Sequence, residues 1–166
     1  MTTDASTKTP VWAALTRITL GLIMLWAFID KVFGLGFATV SGKSWLDGVS
    51  PTAGFLQHGA SGPFTSLYNA IGGTLVVDWL FMLGLLLIGL ALILGVAMRL
   101  ACYSAALLFL LMWSAVLPPK NNPILDDHIV YLLVVLWLNS VNAGNTWGLG
   151  TWWQNTGLVK KLPFLK

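Results

Sequence analysis

The sequence predicts an all-α integral membrane protein, a four-helix bundle with short helices in the extracytoplasmic loop between its first two spans. Hydrophobic residues make up 57% of the 166 residues and charged residues only 9%, whereas soluble globular domains have roughly 45–50% and about 25%. So few charges cannot cover the core of a small soluble protein. The length leaves room for about four apolar segments of ~20 residues, the length that crosses a bilayer. We therefore expect a single transmembrane domain that covers residues 1–166.

Four segments that are apolar and poor in charge are the predicted spans, at about residues 11–33, 78–98, 100–117 and 123–141. Gly34 is a natural stop for the first helix. The apolar core of that segment, Ile18 to Ile29, ends in residues that are bulky and then charged, Trp26 to Lys31, instead of a cleavage site of small residues. The segment is therefore interpreted as an uncleaved span. Pro118 and Pro119 end the third span. Asn122 followed by Pro123 has the pattern of a helix N-terminus for the fourth.

The connection between the first two spans, residues 34–77, is too apolar for a flexible linker. Phe64, Leu67, Tyr68 and Ile71 recur at helical spacing. We expect two or three short helices that cap the outer mouth of the bundle.

The distribution of basic residues predicts the orientation. Four spans place both termini on one side, together with six of the nine cations: Lys8, Arg17, Arg99, Lys160, Lys161 and Lys166. The positive-inside rule therefore puts both termini in the cytoplasm. Residues 142–166, in which tryptophans precede lysines, then form an interfacial cytoplasmic tail. Arg17 and Arg99 lie near helix ends, and we expect their side chains to snorkel to the membrane surface.

This topology gathers the other ionisable groups at the outer face. They are both histidines and five of the six acidic residues, namely Asp30, Asp47, Asp78, Asp126 and Asp127. Ionisable groups at a membrane boundary are costly, which favours a functional site. Aspartates in a first helical turn are also favoured by the helix dipole, and this explains one of them without any function.

The ionisable residues at the start of the fourth span are predicted to lie on two different faces of the helix. Asp127 and His128 lie four and three residues before Tyr131, so the three share one helical stripe. Asp126 points about 100° away from Asp127, and the helix start or a cation can satisfy it. Lys31 is the only cation in the predicted helix ends that carry Asp30, Asp78, Asp126 and Asp127. We expect it to pair with the carboxylates, which leaves a contact with an anion or substrate open as well.

Several further features admit a structural and a functional interpretation. Trp26, Trp79 and Trp113 fall near the outer boundary and are typical of an aromatic belt, but they would also wall a flat pocket of quinone size. His58 precedes a Gly-Ala-Ser-Gly stretch and is typical of a solvated loop residue.

Other classes of chemistry are excluded or disfavoured. A single cysteine, Cys102, excludes disulfides, dithiol exchange and thiolate metal cages within one chain. Consecutive helical residues do not converge on one ion and no dinucleotide-binding glycine pattern occurs, so no metal or flavin is predicted. The net charge of +3 reflects membrane-facing lysines, and no nucleic-acid partner is predicted.

Four stretches that cover most of the chain carry a family resemblance: WAFIDKVFGLGFAT (26–39), GKSWLDGVSPTAGFL (42–56), VVDWLFMLGLLLIGLALILGVAMRLA (76–101) and LPPKNNPILDDHIVYLLVVL (117–136). They resemble the DoxX/DoxD family of small bacterial and archaeal membrane proteins. The resemblance implies a four-helix bundle in a prokaryotic plasma membrane, linked to quinone redox chemistry. Relatives include the membrane subunit of archaeal thiosulfate:quinone oxidoreductase and scaffolds for redox-stress partners. It implies a site that comprises Asp30, Lys31, Asp126, Asp127 and His128.

Two hypotheses follow for function. In the first, the chain is a quinone-interacting oxidoreductase subunit that oxidises a small sulfur compound such as thiosulfate. His128, oriented by Asp127, exchanges protons with the quinone oxygens, and Lys31 attracts the oxyanion. In the second, it is a non-catalytic scaffold whose Asp and Lys residues lock the bundle while the loop docks a partner subunit. Membrane lipid surrounds the protein in both, and homo-oligomerisation stays open. A transporter is disfavoured because the spans lack broken helices and mid-membrane polar groups.

Overall fold

The computed structural model of this chain describes residues 10–166, which are helical with no β-strand, as predicted. The predicted cytoplasmic Lys8 lies outside the described residues. The α-helices within this range are α1 (Val11–Phe33), α2 (Thr65–Ile71), α3 (Leu75–Leu94), α4 (Met98–Ala115), α5 (Asp127–Ser140), α6 (Gly150–Gln154) and α7 (Gly157–Lys161).

Helices α1, α3 and α4 are long and apolar enough to cross a membrane. With 23, 20 and 18 residues, they extend about 34, 30 and 27 Å at 1.5 Å per residue, close to the ~30 Å of a hydrocarbon core. Each also exposes large apolar side chains, such as Leu22, Leu87 and Leu107 at 53–60%. These lengths and surfaces are those of a membrane protein in contact with lipid.

Helix α5 begins later than predicted. It has 14 residues, about 21 Å, so the prediction of a helix over residues 123–141 with Asn122 as its N-cap is wrong. The Asn122 Oδ1 instead accepts hydrogen bonds from the N–H groups of Ile124 and Leu125, both at 2.9 Å. This Asx turn precedes the helix. Asp126 is the N-cap, because its extended backbone lets its side chain accept from the His128 N–H.

The second and third spans also differ from the predicted 78–98 and 100–117. Helix α3 starts three residues earlier and ends before Gly95, whose φ of 72° is a left-handed helix stop. Helix α4 starts at Met98 and ends at Ala115, ahead of the prolines. The first span agrees with α1 at both bounds.

The long helices pack as antiparallel neighbours. Helices α1 and α3 touch backbone to backbone, since a Cβ on Gly89 would lie 2.9 Å from the Leu25 nitrogen. Helices α4 and α5 contact each other through the rings of Phe109 and Tyr131, whose centroids are 5.4 Å apart. The largest apolar side chains at 0% exposure between these helices are Met82, Leu92, Cys102, Val135 and Leu138.

This packing gives the molecule two ends. We call the "acidic end" the one formed by the last turn of α1, residues 34–74, the start of α3, the end of α4 and the start of α5. The "arginine end" is formed by the start of α1, the turn between α3 and α4, and the end of α5 with the residues that follow. At the acidic end, the loop holds a π-helix (Gly54–Gly59), a 3-10 turn (Gly62–Phe64) and α2. Tyr68 anchors α2, since its hydroxyl donates to the Leu111 carbonyl at 3.0 Å.

Candidate functional site

The start of α5 holds a histidine clamped by a carboxylate. Asp126 Oδ1 accepts from the His128 backbone N–H at 3.0 Å, and its Oδ2 lies 2.8 Å from His128 Nδ1. Both side chains are partly shielded, at 21% exposure for His128 and 14% for Asp126. A histidine bound through Nδ1 keeps Nε2 for a second partner, the arrangement used by proton-transferring histidines.

The predicted partner of His128 was the wrong aspartate. Asp126, not Asp127, orients the imidazole, because the side chain of an N-cap folds back over the first turn of its own helix. Asp127 is the first helical residue and is exposed to the surroundings. Tyr131, one turn further on, is 36% exposed and packs on Phe109.

Asp30 is committed to the fold of the loop. It is 1% exposed, and its two carboxylate oxygens accept from the N–H groups of Thr39 at 2.8 Å and Phe37 at 3.4 Å. The carboxylate therefore shapes the turn that follows α1.

Asp78 fastens a second part of the loop to α3. It is 6% exposed, and its Oδ1 accepts from the hydroxyls of Ser50 at 2.7 Å and Thr52 at 2.5 Å. Asp47 lies outside the long helices and is bound locally by Ser44, whose hydroxyl donates at 2.6 Å and whose N–H donates at 2.9 Å. These bonds favour the ionised form and lower the pKa of the Asp47 carboxyl.

Lys31 does not form the predicted ion pairs. The one ion pair between side chains in residues 10–166 joins His128 and Asp126. The Lys31 Nζ lies instead 5.8 Å from the centre of the Phe81 ring, a cation–π distance. Asp30 and Asp78 turn toward the loop, which leaves the ammonium without a carboxylate within 4.0 Å.

The three predicted wall tryptophans make three separate contacts. Trp26 meets the Phe37 ring edge-on at 5.1 Å, and Trp79 meets Trp45 at 4.7 Å. Trp113 donates from Nε1 to the Ile124 carbonyl at 2.7 Å, which joins the end of α4 to the approach to α5. His58 is exposed at the end of the π-helix.

An apolar groove of about 360 Å³ runs between α1 and α5. The residues that line it are Trp12, Leu15, Thr16, Thr19, Leu20, Ile23, Val130, Tyr131 and Val134. Of the predicted site residues, Tyr131 alone lies on this groove. The residues of α1 that line the groove were not predicted. Thr16 and Thr19, which lie one turn apart beside bulkier residues, are the sequence signal of a recess on this face of α1.

The environment of Arg17 differs most from the one that the sequence predicts. It is 0% exposed, so the prediction that it snorkels is wrong. Its Nε donates to Ala143, its Nη1 to Leu92 and Ile93, and its Nη2 to Thr146 and Trp147, all through their carbonyl oxygens. Two of these carbonyls belong to the last turn of α3, where a helix leaves acceptors without partners, and three belong to residues that follow α5.

Glycines make the room that the guanidinium occupies. A Cβ on Gly148 would lie 2.9 Å from Arg17 Nη2, and one on Gly95 would lie 3.1 Å from Nη1. Five carbonyls use all five guanidinium N–H donors, so Arg17 has no donor left for a ligand. The arginine end is therefore a structural junction.

Comparisons of the chain with protein-family models, curated proteins and solved structures found no match. The resemblance to the DoxX/DoxD family rests on the four motifs and stays a prediction. Within residues 10–166, no group of three or more His, Cys, Asp and Glu side chains is arranged to hold a metal ion.

Proposed function

We propose that this protein is a membrane-embedded redox protein of the DoxX type that binds a quinone and exchanges protons with it through His128. The observation that carries the proposal is the carboxylate-clamped histidine one helical turn from Tyr131, which lines an apolar groove between two helices. A lipophilic substrate needs an apolar recess, and quinone chemistry needs a proton donor and acceptor.

The proposed architecture is a four-helix bundle in which α5 is a short fourth span. Support comes from contacts at both ends of the α4–α5 pair. Trp113 is bonded to Ile124 before α5 begins, and a Cβ on Gly144, after α5 ends, would meet Met98 at the start of α4. The chain between these contacts runs the full length of α4, as a crossing segment would.

The proposed orientation places the arginine end in the cytoplasm of a prokaryotic cell and the acidic end outside. Among the described residues, the arginine end and the tail after it hold Arg17, Arg99, Lys160, Lys161 and Lys166. The acidic end and its loops hold three lysines, Lys31, Lys43 and Lys120. This asymmetry is the one that the positive-inside rule describes.

The proposed reaction takes two electrons and two protons onto the quinone to give the hydroquinone. His128 Nε2 passes one proton to a quinone oxygen and, after it takes up a proton from water at the acidic end, passes the second to the other oxygen. The Asp126 carboxylate holds Nδ1–H and stabilises the charged imidazolium. Two thiosulfate ions, the donor that the resemblance implies, supply the two electrons when they join as tetrathionate. Lys31, which has no carboxylate of residues 10–166 within 4.0 Å, is the cation at this end to which we assign attraction of the oxyanion.

The test compares the two histidines in lipid nanodiscs. Thiosulfate-dependent reduction of a short-chain quinone is measured for the wild type, for His128→Ala and for His58→Ala. General acid–base groups contribute about 10²–10⁴-fold, so His128→Ala is expected to lower the rate by at least about 100-fold. The exposed His58 is the matched control, and its variant retains the wild-type rate. Equal rates in both variants, or no activity in the wild type alone or with its co-purified partners, would contradict the proposal.

A non-catalytic scaffold is the second candidate, and one observation favours it. Asp30 and Asp78, two acidic residues of the predicted site, accept hydrogen bonds that shape the loop and hold it against the helices. On this proposal, the loop docks a redox partner and His128 has no role in electron transfer. Purification in mild detergent would yield a stoichiometric partner whose activity is unchanged by His128→Ala.

A further inference from the structure

The loop that follows α1 presents an unusual number of apolar side chains to its surroundings. We name residues 35–49 the "apolar loop". Its large exposed side chains are Leu35, Phe37, Val40, Leu46 and Val49, with exposed fractions from 41% to 71%. Its charged side chains are Lys43 and Asp47, and the latter is bound by Ser44. A water-facing loop of this composition would be a large exposed apolar patch, which usually marks an interaction surface.

Many backbone N–H groups of the apolar loop have acceptors within the protein. The N–H groups of Phe37 and Thr39 donate to the buried Asp30 carboxylate. The Gly36 N–H donates to the Thr39 carbonyl at 3.0 Å, and the Trp45 N–H to the Lys31 carbonyl at 2.8 Å. Backbone polar groups that approach the hydrocarbon region need partners within the protein, because lipid chains offer none. Asp30 thus acts as the internal acceptor for residues 37 and 39 of the loop.

The loop also descends along α1 instead of rising away from it. The Phe37 ring touches the Trp26 ring edge-on at 5.1 Å, and Trp26 lies seven residues, about 10 Å, before the end of the helix. Trp26 is 46% exposed on a helix long and apolar enough to cross a membrane. Phe37 therefore extends the outward-facing apolar surface of α1, and Phe33, 57% exposed, continues it.

We propose that the apolar loop is inserted into the lipid leaflet at the acidic end, with Phe37, Val40 and Leu46 among the acyl chains near the headgroups. Its occupant is lipid and not a protein partner, because the loop surface is continuous with the lipid-facing side of α1 through the Trp26–Phe37 contact. The inference is independent of the proposed quinone chemistry. It separates the loop into an inserted part, residues 35–49, and the part held against α4 through Tyr68.

Site-directed spin labelling in nanodiscs of a phosphatidylcholine and phosphatidylglycerol mixture tests the proposal. Single cysteines are introduced as Phe37→Cys, Leu46→Cys and Lys43→Cys in a Cys102→Ala background. Collision rates are measured with molecular oxygen, which partitions into lipid, and with a water-soluble nickel chelate. The ratio of oxygen to nickel accessibility is expected to be several-fold higher at positions 37 and 46 than at the charged position 43, which lies in the same loop.

Two results would overturn the proposal. Nickel accessibility at positions 37 and 46 equal to that at position 43 would mean that the loop stands in water. Protection from both reagents at 37 and 46 would mean that protein, a partner or a second copy of this chain, covers the surface. If Cys102→Ala lowers the yield, the wild-type Cys102 is retained, because that thiol is fully buried and is not expected to react with the label.

Discussion

The two ends of the bundle treat buried charge in opposite ways. At the arginine end, one guanidinium is sealed from solvent and donates to five backbone carbonyls. At the acidic end, the carboxylates of Asp30, Asp78 and Asp126 each have their own small set of donors, and His128 beside Asp126 stays 21% exposed with one ring nitrogen outside the clamp. A charge whose donors are all used can only hold the structure together. A group with an unused ring nitrogen, such as His128, can also exchange protons.

Removal of Arg17 is expected to have the largest effect on stability. Arg17→Met leaves five buried or partly buried carbonyl groups without their donor, and each unsatisfied buried group costs about 1–3 kcal/mol. We expect the free energy of unfolding to fall by at least about 3 kcal/mol, measured by thermal unfolding in detergent. Arg99→Met is the control, because the exposed Arg99 side chain is expected to change stability by less than about 0.5 kcal/mol. Equal losses in the two variants would contradict the distinction between a sealed and an open arginine.

Loss of a carboxylate at the acidic end is expected to cost less, and locally. Asp78→Ala removes the acceptor for the Ser50 and Thr52 hydroxyls, with an expected loss of about 1–3 kcal/mol. Limited proteolysis would show faster cleavage within residues 50–74, where the loop is no longer fastened to α3. Asp127→Ala is the matched control, since Asp127 is exposed. A global loss as large as that of Arg17→Met would show that the two ends are not built differently.

Acid is expected to give the smallest effect, through Asp47. The bonds from Ser44 lower the pKa of this carboxyl in the folded chain. Its contribution to stability is therefore complete above the ordinary aspartate pKa of 3.8, and it is lost as the pH falls through the lower, folded value. The difference in melting temperature between wild type and Asp47→Ala should be present at pH 6 and shrink below that ordinary value. A difference that grows in acid would reverse the sign of this linkage.

The bounds of the first span could be predicted from the sequence, whereas the start of α5 and the contacts of Arg17 could not. A long apolar run and a glycine fixed α1 because both signals are local. The start of α5 was predicted wrongly because Asn122 before Pro123 has the residue types of a helix N-terminus. The asparagine instead forms an Asx turn that precedes the helix, and Asp126 is the N-cap. Arg17 was missed because its partners come from two distant parts of the chain, Leu92 to Ile93 and Ala143 to Trp147. No local pattern contains that junction.

The structure contradicts two contacts of the predicted site, while the choice of its residues stays a prediction. His128 is held by a carboxylate at the start of α5, and Tyr131 lies on an apolar groove. The stripe rule paired His128 with Asp127, because it treats both as helical. Asp126 is an N-cap outside the helix, and its side chain folds back in a way that helical periodicity does not describe. Lys31 does not form the predicted ion pairs because the carboxylates of Asp30 and Asp78 accept hydrogen bonds from the loop.

The measurement that tests the central claim most directly compares Asp126→Asn with Asp127→Asn in the quinone reduction assay. If Asp126 clamps the proton-exchanging histidine, Asp126→Asn lowers the rate by at least about tenfold and alters the dependence of the rate on pH, whereas Asp127→Asn leaves both unchanged. If Asp127→Asn lowers the rate and Asp126→Asn does not, the clamp is not the working pair and the proposed role of His128 fails.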